Sequence, residues 1–314
     1  MRYKHRGACQ DGLSRRDKML KLKGCFTALV TPFRNGKPDL EAFRKIVEFQ
    51  AGNGVSGIVP CGSTGEAATL SQEEYLAVIR TAVKAARGRV PVVPGVGTNS
   101  TSRSVEMVKK VSALGVDGLL MVVPYYNKPT QDGLTAHFSE LAKATRLPVV
   151  LYNIPGRTGV NMLSATVLGL RRRFSHIVGI KEASGSLDQV SELINGADPD
   201  FAVMSGDDSL TLPMMSVGAR GVISVVSNVA PAETARMCEL FLQGDVGGAA
   251  ELHHGLFPLV KALFCETNPI PVKYAVSLLG LCRPEPRLPL TPLSEKNRET
   301  VRKALAAAGL SAAN

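Results

Sequence analysis

From about residue 25 to about residue 240, short apolar runs ending in small or polar residues alternate with stretches whose apolar positions recur at helical spacing. Residues 25–30 read as a first strand, and residues 40–51, apolar at intervals of three and four, as the helix after it. Residues 56–60 form the second strand; Ser71, with Glu74 three positions on, makes a capping box that starts a helix reaching about residue 86. The same pattern predicts strands over 90–94, 118–123, 148–152, 177–181, 201–205 and 221–225. Helices are predicted between them over 101–114, 130–145, 163–172, 187–194 and 208–217, and another begins near Pro231.

Eight strand-then-helix units at this length predict an α/β chain, a (β/α)8 barrel over residues 19–244. An open doubly wound sheet is disfavoured, because no G-x-G-x-x-G follows the first strand. After residue 244 the alternation stops. Residues 245–314 read as a C-terminal helical appendage, with helices over 252–264, 270–279 and 294–307 and four prolines, Pro284, Pro286, Pro289 and Pro292, breaking the chain between the last two. Its predicted role is to cover one side of the barrel or support an oligomer interface.

Composition leaves this picture in place. A chain of 314 residues with 45% hydrophobic and 20% charged content is ordinary globular material. The net charge of +10 raises the question of nucleic acid. Much of it is local, with Arg2, Lys4, Arg6, Arg15, Arg16, Lys18, Lys21 and Lys23 near the N-terminus and Arg171, Arg172 and Arg173 further on. No aromatic residues are interleaved for base stacking, so no nucleic-acid partner is predicted. Residues 1–18 are predicted to be a basic, disordered extension, with Met19 a candidate start. That extension lacks the apolar segment of a secretory signal, and no apolar run approaches the ~18 residues of a membrane span; a cytoplasmic protein without a membrane partner is predicted. Six scattered cysteines without metal-ligand spacing read as reduced thiols, and adjacent His253 and His254 have no partner cluster. Neither metal nor cofactor is assigned.

Candidate chemistry gathers where barrel strands end. Residues 177–181 run apolar into Lys181 and then break into small residues. Side chains alternate across a strand, so an inward Lys181 puts Glu182 on the opposite face, unable to neutralise it. A desolvated lysine without a close carboxylate is a nucleophile toward carbonyls; a lysine capping the strand in solvent is the competing reading. Strand two is followed by Gly62-Ser63-Thr64-Gly65-Glu66, a loop whose amides and hydroxyls suit an anion. Strand four ends in Pro124-Tyr125-Tyr126-Asn127, and strand five in Tyr152-Asn153-Ile154-Pro155 with Arg157 close behind. Sequential parallel strands place Tyr152 and Lys181 about 5 Å apart, so a phenol and an amine meet across one substrate atom.

These stretches, with Gly179-Ile180-Lys181-Glu182, Ser205-Gly206-Asp207-Asp208, Gly221-Val222-Ile223-Ser224 and Asn268-Pro269-Ile270-Pro271-Val272-Lys273, resemble the motifs of the dihydrodipicolinate synthase (4-hydroxy-tetrahydrodipicolinate synthase) family, a group of TIM-barrel, pyruvate-dependent aldolases. The likeness runs from about residue 22 to residue 310. It implies condensation of pyruvate with L-aspartate 4-semialdehyde in lysine (diaminopimelate) biosynthesis, with no cofactor. Lys181 matches the Schiff-base lysine, Tyr152 the acid/base tyrosine, and Thr64 and Tyr126 the rest of its hydroxyl relay. Tyr126 is expected to come from a neighbouring subunit of a homodimer or homotetramer. Ser63 and Thr64 match the pyruvate-binding hydroxyls, although the synthases more often carry threonine at Ser63 and the N-acetylneuraminate lyases serine. Arg157 matches the residue that receives the semialdehyde carboxylate, and Gly206 and Ile223 match positions lining the lysine pocket. The alternative is another pyruvate-dependent aldolase, acting on N-acetylneuraminate or a 2-keto-3-deoxy acid; Arg157 favours the synthase. At the feedback site of lysine-inhibited relatives, Asn99 and Tyr125 are kept, but Gln72, Tyr75 and Arg103 replace the histidines and the acidic residue. An arginine facing the effector's ammonium predicts weak inhibition by lysine or none.

Overall fold

The computed structural model describes residues 20–310, so the extension predicted over 1–18 lies outside the described residues. Eight parallel barrel strands follow in chain order: β1 (Gly24–Ala28), β2 (Gly57–Val59), β3 (Gly95–Val96), β4 (Leu119–Val122), β5 (Val149–Asn153), β6 (Ile177–Glu182), β7 (Ala202–Ser205) and β8 (Gly221–Ser224). Each pairs with its sequence neighbour from β3 to β8, β8 pairs with β1, and β1 with β2. A bridge between Ile58 and Val92 closes the ring.

That seam departs from the sequence reading. A strand is predicted over 90–94, yet the regular ladder covers only Gly95–Val96. Pro91 and Pro94 have no N–H to donate and interrupt the pairing pattern. Their carbonyls still accept, from Ile58 N at 2.9 Å and Leu120 N at 2.9 Å, so the wall remains hydrogen-bonded.

The outer layer comprises α1 (Leu40–Gly52), α2 (Gln72–Ala86), α3 (Thr101–Ser112), α4 (Gln131–Lys143), α5 (Ser164–Arg173), α6 (Leu187–Gly196), α7 (Thr211–Ser216) and α8 (Pro231–Leu242). The predicted capping box is present: Ser71 Oγ accepts from Glu74 N, and the Glu74 carboxylate accepts from Ser71 N. The helix predicted over 208–217 is split into a 3-10 turn, Asp208–Leu210, and α7. A two-stranded hairpin, Phe33–Arg34 with Lys37–Pro38, and a single helical turn, Pro155–Thr158, were not foreseen. The C-terminal helices are α9 (Val246–Leu263), α10 (Ile270–Leu278) and α11 (Glu295–Ala307). The first starts six residues earlier than the predicted 252, because Asp245 caps it by accepting from Gly248 N at 2.9 Å. None of the described helices is long and apolar enough to cross a membrane.

Strand alternation sorts the core into two sets. Phe26, Ala28, Val59, Val93, Leu120, Val150, Met204 and Ile223 fill the barrel, while Ile58, Leu119, Met121, Leu151, Ile180 and Val203 pack outward against the helices. The Phe26 ring is fully buried beside Gly57, where any Cβ would overlap it. Truncating a ring so enclosed costs about 3–5 kcal/mol. The polar groups sit at the C-terminal ends of these strands, above this plug.

Candidate active site

Ladder register brings Tyr152 on β5 directly opposite Lys181 on β6. Both side chains are buried, and Lys181 Nζ lies 4.6 Å from the centroid of the tyrosine ring. The pairing depends on an irregularity. Val149 partners Ile177, but the register then shifts and Val150 partners Gly179, leaving Val178 without an opposite residue. Without that extra residue Tyr152 would face Ile180, which packs outward.

Glu182, next along β6, turns to the outer face. Its carboxylate accepts from Asn153 Nδ2, Gln189 Nε2 and Ser184 N at 2.7–3.2 Å and is spent on those donors. Lys181 therefore has no carboxylate in contact among the described residues. Burial lowers its pKa to about 8, aided by the Arg157 charge and opposed by Asp208 and Asp207. Burial pushes the Tyr152 phenol the other way, to about 12, against the opposing pull of Arg157 and the Ser63 hydroxyl. Asp208, absent from the sequence-predicted site, is a buried carboxylate held by Val225 N at 2.9 Å and Val226 N at 3.1 Å. Gly206 flanks the amine: a Cβ there would sit 3.1 Å from Lys181 Cε, and its N–H donates to Glu182 O. Ile223 is buried in the barrel interior.

The loop after β2 is tightly wound. Cys61 (φ 56°) and Glu66 (φ 52°) bracket it, both non-glycine residues in left-handed backbone that costs about 1–2 kcal/mol each. The amides of Gly65, Glu66 and Ala67 are consumed by Gly62 and Ser63 carbonyls. Those of Gly62, Ser63 and Thr64 have no partner among the described residues, which leaves three amides of the loop for an anion. Ser63 is exposed at the rim and Thr64 is buried. Thr64 Oγ1 accepts from Asn268 Nδ2 at 3.0 Å, and the Asn268 carbonyl accepts from Arg157 Nη2 at 2.9 Å. Glu66 forms a fully buried ion pair with Lys273 and also accepts from Arg287 N at 2.9 Å.

Of the predicted relay, Thr64 is buried against Asn268, while Tyr126 projects from its own chain. It is 88% exposed and stands on a loop in left-handed backbone at φ 75°, beside Asn127, whose Nδ2 donates to Asn99 O at 2.8 Å. Of the feedback positions, Gln72 and Arg103 are exposed. Tyr75 instead points inward and its hydroxyl donates to Gly95 O.

A barrel with an apolar-walled lysine, a facing phenol and a wound hydroxyl loop can be set beside known proteins. Residues 21–308 match the model of the dihydrodipicolinate synthetase family. The chain belongs to that family. It is 50% identical over 291 residues to a 4-hydroxy-tetrahydrodipicolinate synthase from Oleidesulfovibrio alaskensis, covering 93% of this chain and 100% of the relative. The dihydrodipicolinate synthase structure from Aquifex aeolicus superposes with a TM-score of 0.92 at 45% identity, covering 93% of this chain and 100% of that one. A chloride-inhibited dihydrodipicolinate synthase from Acinetobacter baumannii, solved in complex with pyruvate, superposes with a TM-score of 0.90 at 43% identity, covering 92% and 100%.

Sequence reasoning gave the helical region of this family member only a covering or interface role. Asn268, Lys273 and Arg287 instead reach the loop that carries Thr64. The signal available was the quoted run Asn268–Lys273, in which a lysine and an asparagine stand among apolar residues and prolines.

Proposed function

We propose that the chain condenses pyruvate with L-aspartate 4-semialdehyde through an imine on Lys181, the 4-hydroxy-tetrahydrodipicolinate synthase reaction of lysine biosynthesis. The observation that carries this reading is a buried lysine, packed over the ring of Tyr152 and with no carboxylate in contact among the described residues. Its neutral Nζ adds to the C2 carbonyl of pyruvate, and loss of water gives a protonated imine. That cation draws electrons from the adjacent methyl group, which releases a proton and becomes an enamine carbon. The enamine attacks the aldehyde carbon of the second substrate. Attack of that substrate's amine on the imine carbon then closes the ring and frees Lys181, so one water is lost over the cycle.

Protons move at the carbinolamine and at the closing ring. A phenol raised to about 12 stays protonated at neutral pH and acts as a donor and relay, passing protons through Thr64 and a Tyr126 supplied by another subunit. The free amides of Ser63 and Thr64 suit the pyruvate carboxylate, and Gly206 and Ile223 line the lysine pocket. Arg157, fastened by one nitrogen to the Asn268 carbonyl, keeps other N–H groups for the carboxylate of the semialdehyde.

Borohydride reduction with pyruvate, followed by peptide mapping, is expected to fix the adduct on Lys181; an adduct elsewhere overturns the mechanism. Arg157→Ala is expected to lose about 10- to 100-fold in kcat/KM for the semialdehyde, the worth of a charge-assisted hydrogen bond. Unchanged kcat/KM in that variant, or faster cleavage of N-acetylneuraminate than condensation in the wild type, would transfer the chain to the lyase reading.

A further inference from the structure

The Thr64 loop holds two left-handed non-glycine residues, and such backbone persists only where its surroundings over-determine it. Those surroundings come from the far end of the chain. Lys273 pairs with Glu66 inside the protein, Arg287 N donates to the same carboxylate, and Asn268 Nδ2 donates to Thr64 Oγ1 at 3.0 Å. Asn268 and Thr64 are both buried.

A hydroxyl carries one proton and two acceptor positions. An amide N–H only donates, so Asn268 fills an acceptor position on Thr64 and leaves the hydroxyl proton for another partner. Beside that bond, Asn268 Oδ1 is buried with no partner among the described residues, so the amide makes its one side-chain hydrogen bond to Thr64. The main-chain carbonyl of the same residue fastens Arg157.

We infer that Asn268 is a positioning residue: its side-chain amide sets the direction in which Thr64 passes a proton, while its carbonyl seats Arg157. The inference rests on the Lys181 imine reading above. Because only the side chain acts on Thr64, replacing it separates the two tasks.

The test compares wild type, Asn268→Ala and the nearly isosteric Asn268→Asp, over a range of pH, by steady-state kinetics and by the rate of borohydride-trapped pyruvate adduct on Lys181. Rates are expressed relative to wild type at the same pH, which cancels the titration of Lys181. An ionised carboxylate only accepts and reverses the Thr64 hydroxyl; a protonated one can donate as the amide does. Both variants are expected to lose about 10- to 100-fold in kcat near pH 8, the scale of a proton-transfer contribution, with KM for both substrates within about twofold. Asn268→Asp alone is expected to recover relative rate as pH falls. Equal relative rates for both variants at every pH, or a loss confined to KM, would overturn the inference. If Asn268→Ala does not fold, the pH trend of Asn268→Asp against wild type decides alone. A wild type that traps pyruvate on Lys181 but does not condense the semialdehyde sinks only the substrate reading, since the trapping rate still reads Asn268. Absence of any Lys181 adduct sinks both.

Discussion

At Lys181 the same burial serves chemistry and burdens the fold. With a pKa of about 8, roughly one amine in ten is neutral at pH 7, against about three in ten thousand for an ordinary lysine. Pyruvate-imine formation is therefore expected to rise with pH and level off above about 8. The stability consequence has the same pH slope as that of a paired carboxylate, but here it is a cost relieved rather than a gain acquired. Between about 8 and the unfolded value near ~10.5 the unfolded chain binds a proton that the folded chain does not, so stability rises with pH across that window. Below it the full cost of burying the cation stands, on the order of 3 kcal/mol. Lys181→Met, of similar volume and apolar, is expected to raise the melting temperature at pH 7 while abolishing the pyruvate adduct, and the gain is expected to shrink by pH 10. Melts at both pH values check this; the same gain at each would contradict the buried-cation account.

Among elements, the C-terminal region and the β2 loop form one unit through Glu66 and Lys273. Both side chains are 1% exposed; Lys273 Nζ also lies 4.2 Å from the Phe33 ring centroid and donates to Glu285 O at 3.2 Å. Burial lowers the Lys273 pKa, while Glu66 acts to raise it. Lys273→Ala, which strands the carboxylate, is expected to destabilise by about 3–5 kcal/mol, whereas Lys273→Met with Glu66→Leu costs less, as urea melts would show. Equal losses would mean that the pair is not coupled. The alternation of apolar runs and amphipathic stretches was readable because each strand and helix buries a local pattern. The third strand was readable over 90–94, but Pro91 and Pro94 confine its regular ladder to Gly95–Val96 by removing donors, and Gly247 and Gly248 hid the start of α9 by offering no apolar side chain to the periodicity. The register shift at Val178 left no trace in composition, although it decides which way Lys181 faces. The Asn268–Thr64 bond spans 204 positions, and such pairing is set by topology rather than by neighbours in sequence.

For the whole molecule, one member of the proposed relay is turned to solvent by its own chain. Resemblance named the relay, and register joined Tyr152 to Lys181, but Tyr126 projects 88% exposed from its loop. At the positions expected to match the effector site of lysine-inhibited relatives, Arg103 is exposed and Tyr75 is turned into the core. Lysine at low millimolar concentration is therefore expected to leave turnover unchanged, and half-inhibition in that range would contradict the electrostatic argument. The assembly itself is open to a complementation test. If Tyr126 serves a neighbour, each active site draws Lys181 from one protomer and Tyr126 from another. Tyr126→Ala and Lys181→Ala proteins are each expected to be nearly inactive alone. Mixed and reassembled, they would form hybrids in which the protomer with intact Lys181 receives an intact Tyr126 from its partner, and activity would return in one of the two sites of each pair. A tyrosine acting within its own chain allows no such recovery, because every protomer in the mixture would lack one group. Activity of the mixture against the separate variants, measured with the size of the assembly, therefore decides whether the exposed tyrosine completes a site across a subunit boundary.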